Sequence, residues 1–264
     1  MIDQIAVVDC QTLPEAVKQR TGCSGFFDAF VQLFEQTGQK NLVYTRYEAA
    51  RGEFPDLDDS SLRAVFISGS FSSAYDEDLW IQTLKHNIQR ARGRIPLVGI
   101  CFGHQVIAEA LGGKCGSVAA GPEVGCVSTQ LTARGRELFR RLSGGTLDAD
   151  TVCLIYFHFD EVQVLPPGAV LLASSPSCPV EGYLLPEDRI LCLQGHPEFG
   201  ATTELMPALL SSSLERGRLK LDAYWSAAAS LKVPQDGHAI GACLLEFAVS
   251  DPKSWSALRP WSPK

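Results

Sequence analysis

The sequence has no block of lysines and arginines, no C-x-x-C pair, no internal repeat and no apolar run approaching the roughly 20 residues that cross a bilayer. Each absence excludes a class. With a net charge of −7 and no basic footprint, the chain does not suit a phosphate backbone, so nucleic acid is not expected as a partner. The nine cysteines are an odd number, and their spacings fit neither a zinc site nor a regular disulfide framework. No metal or other cofactor is expected, and a reducing compartment, the cytoplasm, is. The N-terminus carries no basic leader or cleavage-site pattern, and no membrane segment is expected.

What is present is an ordinary globular composition, 45% hydrophobic and 20% charged over 264 residues. No linker interrupts the chain, which predicts one domain over residues 1–250. Residues 251–264, with three prolines and two tryptophans, predict an irregular tail. In the first half, apolar and β-branched runs at 2–8, 42–47, 62–67 and 95–100 read as strands. Residues 24–36 carry an apolar stripe of Phe26, Phe27, Phe30, Val31 and Phe34, and residues 76–91 also have helical spacing. Such alternation builds a parallel sheet covered on both faces, whose sites lie beyond the carboxyl ends of the strands. In the second half, strand candidates at 124–131, 152–157, 169–173, 180–185 and 190–193 are interrupted by one helix at 134–142, so antiparallel pairing is expected there. Helices at 203–216 and 239–248 close the chain.

Two stretches carry chemistry. Gly99-Ile100-Cys101-Phe102-Gly103 follows a strand and leads into a helix, the cysteine form of the nucleophile elbow. A sharp strand-to-helix bend leaves little room two positions either side of the nucleophile, so glycine fits there. The bend lifts the sulfur to the open end of the sheet and aims the positive end of the next helix at it. The second stretch is Gly195-His196-Pro197-Glu198 at the end of another strand. Pro197 pushes His196 into an extended conformation. In an extended chain His196 and Glu198 point the same way, so the carboxylate reaches one imidazole nitrogen and leaves the other free for a proton.

Together with Pro96-Leu97-Val98 before the elbow, His104-Gln105 after it, Ala110-Leu111-Gly112-Gly113, Val124-Gly125, Leu165-Pro166-Pro167-Gly168 and Gln194 to Phe199, these stretches give the chain a resemblance to class I glutamine amidotransferases of the Cys-His-Glu type. The resemblance covers roughly residues 62–200. It implies a flavodoxin-like α/β fold: a mostly parallel central sheet with helices on both faces and a smaller antiparallel addition. It implies Cys101 as nucleophile, forming a thioester with a γ-glutamyl or glutamine-like substrate, His196 as proton carrier and Glu198 as its orienting group. Backbone N–H groups of Gly69, Ser70 and Phe102 would hold the oxyanion, and Gln105, His158, Phe159 and Asp160 would border the glutamyl pocket. Many members carry Gly-Gly-Pro where this chain has Gly69-Ser70-Phe71, and stand-alone members often have glutamine where Tyr156 and Phe157 precede His158. The pattern is similar to stand-alone γ-glutamyl peptidases.

Other candidates read as structural. His104 is expected to pack beneath the bend, Asp9 to serve its loop, and the remaining cysteines to fill space. Because no second catalytic region accompanies the resembling one, a self-sufficient hydrolase or transferase is the first expectation. An ammonia-supplying subunit for a separate synthase is the second, and a silent binding or regulatory protein on the same scaffold the third.

Overall fold

Successive residues of strand β1 (Asp3–Asp9) bury on opposite faces, Ile5 and Val7 on one side, Ala6 and Val8 on the other. That period-two burial sets the layers. The structure, a computed structural model, describes residues 3–202 and 204–250; the expected tail lies outside the described residues. In β2 (Leu42–Glu48), β3 (Leu62–Ile67), β4 (Leu97–Ile100) and β11 (Ile190–Leu193) the pairing is parallel throughout, in the order β2-β1-β3-β4-β11. This is the flavodoxin-like order. Next to β11 the sheet continues with β10 (Gly182–Leu185), β9 (Val170–Ser174), β6 (Glu123–Leu131) and β7 (Thr151–His158), all antiparallel. The expected parallel sheet with an antiparallel addition is the observed one.

One face of the sheet is covered by α2 (Phe26–Gln36), α5 (Ala133–Leu142) and α8 (Gly237–Val249), which bring Phe30, Phe34, Leu138, Ile240 and Leu244 against Val7, Phe66 and Leu191. The other is covered by α3 (Leu79–Ala91) and α4 (Phe102–Ala110), with Ile81, Leu84, Val106 and Ile107 against Val8, Ile67 and Cys192. A third cluster joins α1 (Glu15–Thr21), α6 (Leu205–Glu215) and α7 (Leu221–Ser230) to Phe26, Ile155, Phe157 and Phe199. Helices α1 and α7, and the two-stranded pair of β5 (Lys114–Ser117) with β8 (Asp160–Val164), are elements the sequence reading did not predict.

The bend between β4 and α4 is as tight as the glycine spacing implies. A Cβ on Gly99 would lie 2.6 Å from the Gly103 carbonyl oxygen and one on Gly103 would collide with the backbone of Ile67. Cys101 itself sits at φ 54°, ψ −107°, outside the basins that residues with a side chain favour. Glycine adopts this conformation without penalty. Cys101→Gly is therefore expected to be more stable than Cys101→Ala by about 1–2 kcal/mol, read as a higher urea midpoint. Equal midpoints would mean that the bend stores no strain.

Candidate active site

Three neighbouring strands end on the same edge of the molecule, and each contributes one part of the site. β3 runs into Ser68-Gly69-Ser70, β4 into Cys101, and β11, through Gln194 and Gly195, into His196. The Cys101 N–H donates to the Leu193 carbonyl at 2.9 Å, which ties the bend to the strand that delivers the histidine. The far strand β7 curls back over this edge: the His196 N–H donates to the Ile155 carbonyl at 2.8 Å, and the Cys101 thiol lies 3.9 Å from the Phe157 carbonyl.

Cys101, His196 and Glu198 come together here. His196 has extended backbone, φ −104° and ψ 93°, as Pro197 requires. Glu198, however, lies in a 3₁₀ turn, Pro197–Gly200, so the two side chains meet through a turn and not along an extended chain. The His196 Nδ1–H donates to Glu198 Oε1 at 2.7 Å, and Cys101 lies close enough to act on the charge of the ring. Glu198 is completely buried and His196 almost so. Burial alone would push the imidazole down, but the charges of Glu198 and Cys101 outweigh it and push it up to about 10. Phe199 stacks on the ring at 3.9 Å, 7° from parallel.

Gly69, whose Cβ would come within 3.0 Å of the His196 Cε1, and Phe26, whose ring centre lies 6.1 Å from that of His196 and 5.6 Å from that of Phe199, also pack beside the histidine. Phe26 begins α2, whose first N–H groups donate to the buried Asp9 carboxylate, itself paired with Arg46 at 2.9 Å. Burial pushes Asp9 up despite that partner. Asp9 thus does more than serve its loop: it fixes the helix end that backs His196. The turn at Gly69-Ser70 is pinned as well. Ser68 Oγ accepts from the Cys10 N–H at 2.9 Å, and Gln11 Oε1 from the Phe71 N–H at 2.9 Å.

A cleft opens over Cys101, about 360 Å³ including its mouth, lined by Ser70, Phe71, Gln105, Phe157, Asp160 and Arg218 together with Ser72, His158 and Phe159. The space suits a side chain rather than a nucleotide. Every pocket residue expected from the sequence is in this lining. Gln105 is committed to its neighbours, donating to the Asp160 carbonyl at 2.7 Å and to Gln194 Oε1 at 2.9 Å. The Asp160 carboxylate accepts from Ser73 Oγ and from Tyr75 Oη at 2.9 Å. Phe102, the first residue of α4, has no helical acceptor for its N–H, and its ring packs away from the cleft on Trp80. Phe157 borders the cleft, whereas Tyr156 is buried behind it with its hydroxyl 2.6 Å from Thr129 Oγ1. His104 is buried beneath the bend against Tyr183; burial, then the nearby His158, hold it down at about 3, which suits a neutral ring.

Phe71 and Arg218 line the cleft without a local motif that announces them, and none announces a buried pair of acids behind His158. His158 Nδ1 donates to the Asp160 carbonyl and Nε2 lies 3.0 Å from Glu123 Oε2, with Glu181 beside them; one donor atom from each of the three residues lies within 4.8 Å of the others. Burial and the neighbouring Glu123 push Glu181 up, so it carries a proton at neutral pH. Burial also raises Glu123, but its hydrogen bonds with His158 and Ser177 outweigh it and hold it below the usual range.

The stretch of chain that carries Cys101 and His196 matches a known family. The glutamine amidotransferase class-I profile matches residues 23–212. The chain belongs to this family. It is 36% identical over 187 residues to gamma-glutamyl peptidase 3 of Arabidopsis thaliana, an alignment covering 70% of this chain and 72% of that relative. It is 31% identical over 169 residues to the glutamine-hydrolysing GMP synthase of Bordetella avium, covering 63% of this chain and 29% of that one. A crystal structure of a glutamine amidotransferase from Thermotoga maritima shares the fold, with a TM-score of 0.68 at 18% identity and coverage of 95% of this chain and all of that one. The class I amidotransferase chain described here is an amide hydrolase of that type.

The Glu123–Glu181 pair generates a stability test. Folding raises Glu181 above its ordinary 4.5, so its stabilising contribution is complete in acid and declines as pH rises through the folded value. Glu181→Gln keeps the shape of the side chain and removes the group that titrates. Its Tm is expected to exceed that of wild type by a few degrees at pH 8, about 1–3 kcal/mol, and by less at pH 5, measured by scanning calorimetry. The same difference at both pH values would contradict a protonated Glu181 in the folded chain.

Proposed function

We propose that this amide hydrolase cleaves the γ-glutamyl amide bond of a γ-glutamyl peptide or related substrate through a thioester on Cys101. The observation that carries the reading is the Cys101–His196–Glu198 chain of contacts at the floor of a side-chain-sized cleft. The Cys101 sulfur attacks the amide carbonyl carbon, and the carbonyl electrons move to oxygen. The N–H groups of Gly69, Ser70 and Phe102 receive that oxygen, at about 3–4 kcal/mol for a well-placed donor. The C–N bond then breaks, and His196 gives its proton to the leaving amine. Water attacks the thioester carbon, His196 takes the water's proton, and the sulfur leaves. Glu198 keeps the imidazole turned towards sulfur and favours its charged form. Gln105, His158, Phe159 and Asp160 line the glutamyl side of the cleft.

The similarity to gamma-glutamyl peptidases supports this reading, as do the nine free cysteines, which suit the reducing, cytoplasmic setting expected from the sequence. The similarity to GMP synthase supports a second reading, in which a separate synthase chain receives ammonia released from glutamine. Incubation with glutamine and with a γ-glutamyl dipeptide, with products identified by mass spectrometry, separates the two. The first reading expects free glutamate and the released amino acid from the dipeptide without any partner. It expects Cys101→Ala to lose turnover while keeping its fold. Full activity in that variant would exclude the mechanism.

The pH profile gives an independent check. His196 must be protonated to release the amine, and its raised value puts the alkaline limb of activity near pH 10. Glu198→Gln removes a group that holds the proton there, so burial regains weight and the limb moves to lower pH. Its activity is expected to fall less than that of His196→Ala. An unmoved limb would remove Glu198 from its orienting role.

A further inference from the structure

Among the described residues, Arg218 is the one arginine or lysine that lines the cleft above Cys101, and no motif points to it. Arg218 lies on the segment between α6 and α7, beyond the 23–212 stretch that matches the family profile. Its guanidinium carbon is 5.7 Å from the centre of the Phe71 ring. Its backbone N–H donates to the Ser213 carbonyl at 2.9 Å, and the next residue, Leu219, is buried as an anchor. Arg216 stands with it around a second small hollow on Phe71. Among the described residues neither guanidinium has a carboxylate partner. Arg218 thus offers the cleft a guanidinium with no carboxylate partner, and Arg216 a second one beside the neighbouring hollow.

Contacts around the site tell which half of a substrate Arg218 meets. In the proposed reaction His196 hands its proton to the leaving amine, so the leaving group lies on the histidine's side of Cys101. Phe26 touches His196, with ring centres 6.1 Å apart, and touches Phe71 at 6.4 Å. Arg218 lies over Phe71, the member of that row farther from His196, and Phe71 also packs on Phe157 at 6.2 Å. Gln105, His158 and Asp160 belong to the acyl side. A guanidinium laid on an aromatic ring keeps its fork of donors open to a carboxylate and loses little freedom on binding one.

We propose that Arg218, supported by Phe71, forms a leaving-group subsite that binds a carboxylate on the amine half of the substrate. The preferred substrates are then γ-glutamyl amino acids and γ-glutamyl peptides with a free C-terminal carboxylate, ahead of glutamine, whose leaving group is ammonia. This inference rests on the γ-glutamyl reading and deepens it. Because Arg218 is exposed, the gain is moderate, about tenfold in kcat/KM, and is reduced by salt.

The test compares γ-glutamylglycine with γ-glutamylglycinamide, which differ only in that carboxylate, on the wild-type chain, Arg218→Ala and Arg218→Lys. Wild type is expected to favour γ-glutamylglycine about tenfold, chiefly through KM. Arg218→Ala is expected to bring the ratio of the two close to one, and Arg218→Lys to restore part of it. A wild-type ratio near one, or an undiminished ratio in Arg218→Ala, overturns the subsite and leaves the γ-glutamyl reading intact. Release of neither amine by the wild-type chain overturns both.

Discussion

The site depends on one adjacency. Strand β11 pairs with β4 in parallel register, Leu193 opposite Ile100, so the chain that leaves β11 emerges beside the bend that holds Cys101. Cys101 and His196 are far apart in sequence, and it is the sheet order that brings the sulfur to the imidazole. The bend is strained, with a positive φ at Cys101, and two glycines allow the close backbone contacts that hold it. A strained position persists only when its surroundings over-determine it. Here the surroundings are the buried strands β3, β4 and β11 and the first turn of α4.

Charge is managed by the same packing. Glu198 would be costly to bury alone, since an isolated carboxylate loses several kcal/mol or more of hydration. Its partner His196 offsets that cost and in return is held in its charged form. Phe199 stacks on the imidazole, Phe26 packs against both rings, and Asp9 fixes the helix that presents Phe26. Behind the cleft a second group, Glu123, Glu181 and His158, joins β6, β7 and the approach to β10. That group steadies the strand whose Phe157 borders the cleft. The protein thus places its buried acids where they immobilise the walls of the site.

Much of this was legible in the sequence because it rests on local rules. The elbow glycines, the apolar runs before Cys101 and His196, and Pro197 each have a short-range reason, and the structure puts them where those reasons predict. The Phe26 to Phe34 stripe is the buried face of α2, as its spacing implies. The missed features are those whose reason is long-range. Helix α7 has few buried residues and a weak apolar stripe, so its pattern resembles a loop. Strands β5 and β8 are short and, among the described residues, pair only with each other. Arg218 acquires its place by folding back over Phe71, which no spacing along the chain announces. The meeting of His196 and Glu198 was read correctly but for an incomplete reason, since a 3₁₀ turn, and not extended chain, brings them together.

The central claim is that the sulfur at the bend is the atom that takes the acyl group. Intact-protein and peptide mass spectrometry after treatment with a glutamine-mimicking electrophile tests it most directly, because nine free thiols compete for the reagent. The account predicts a single adduct, on the peptide containing Cys101, that forms slowly or not at all in His196→Ala. Labelling spread over the other cysteines, or labelling of Cys101 that is indifferent to His196, would contradict it.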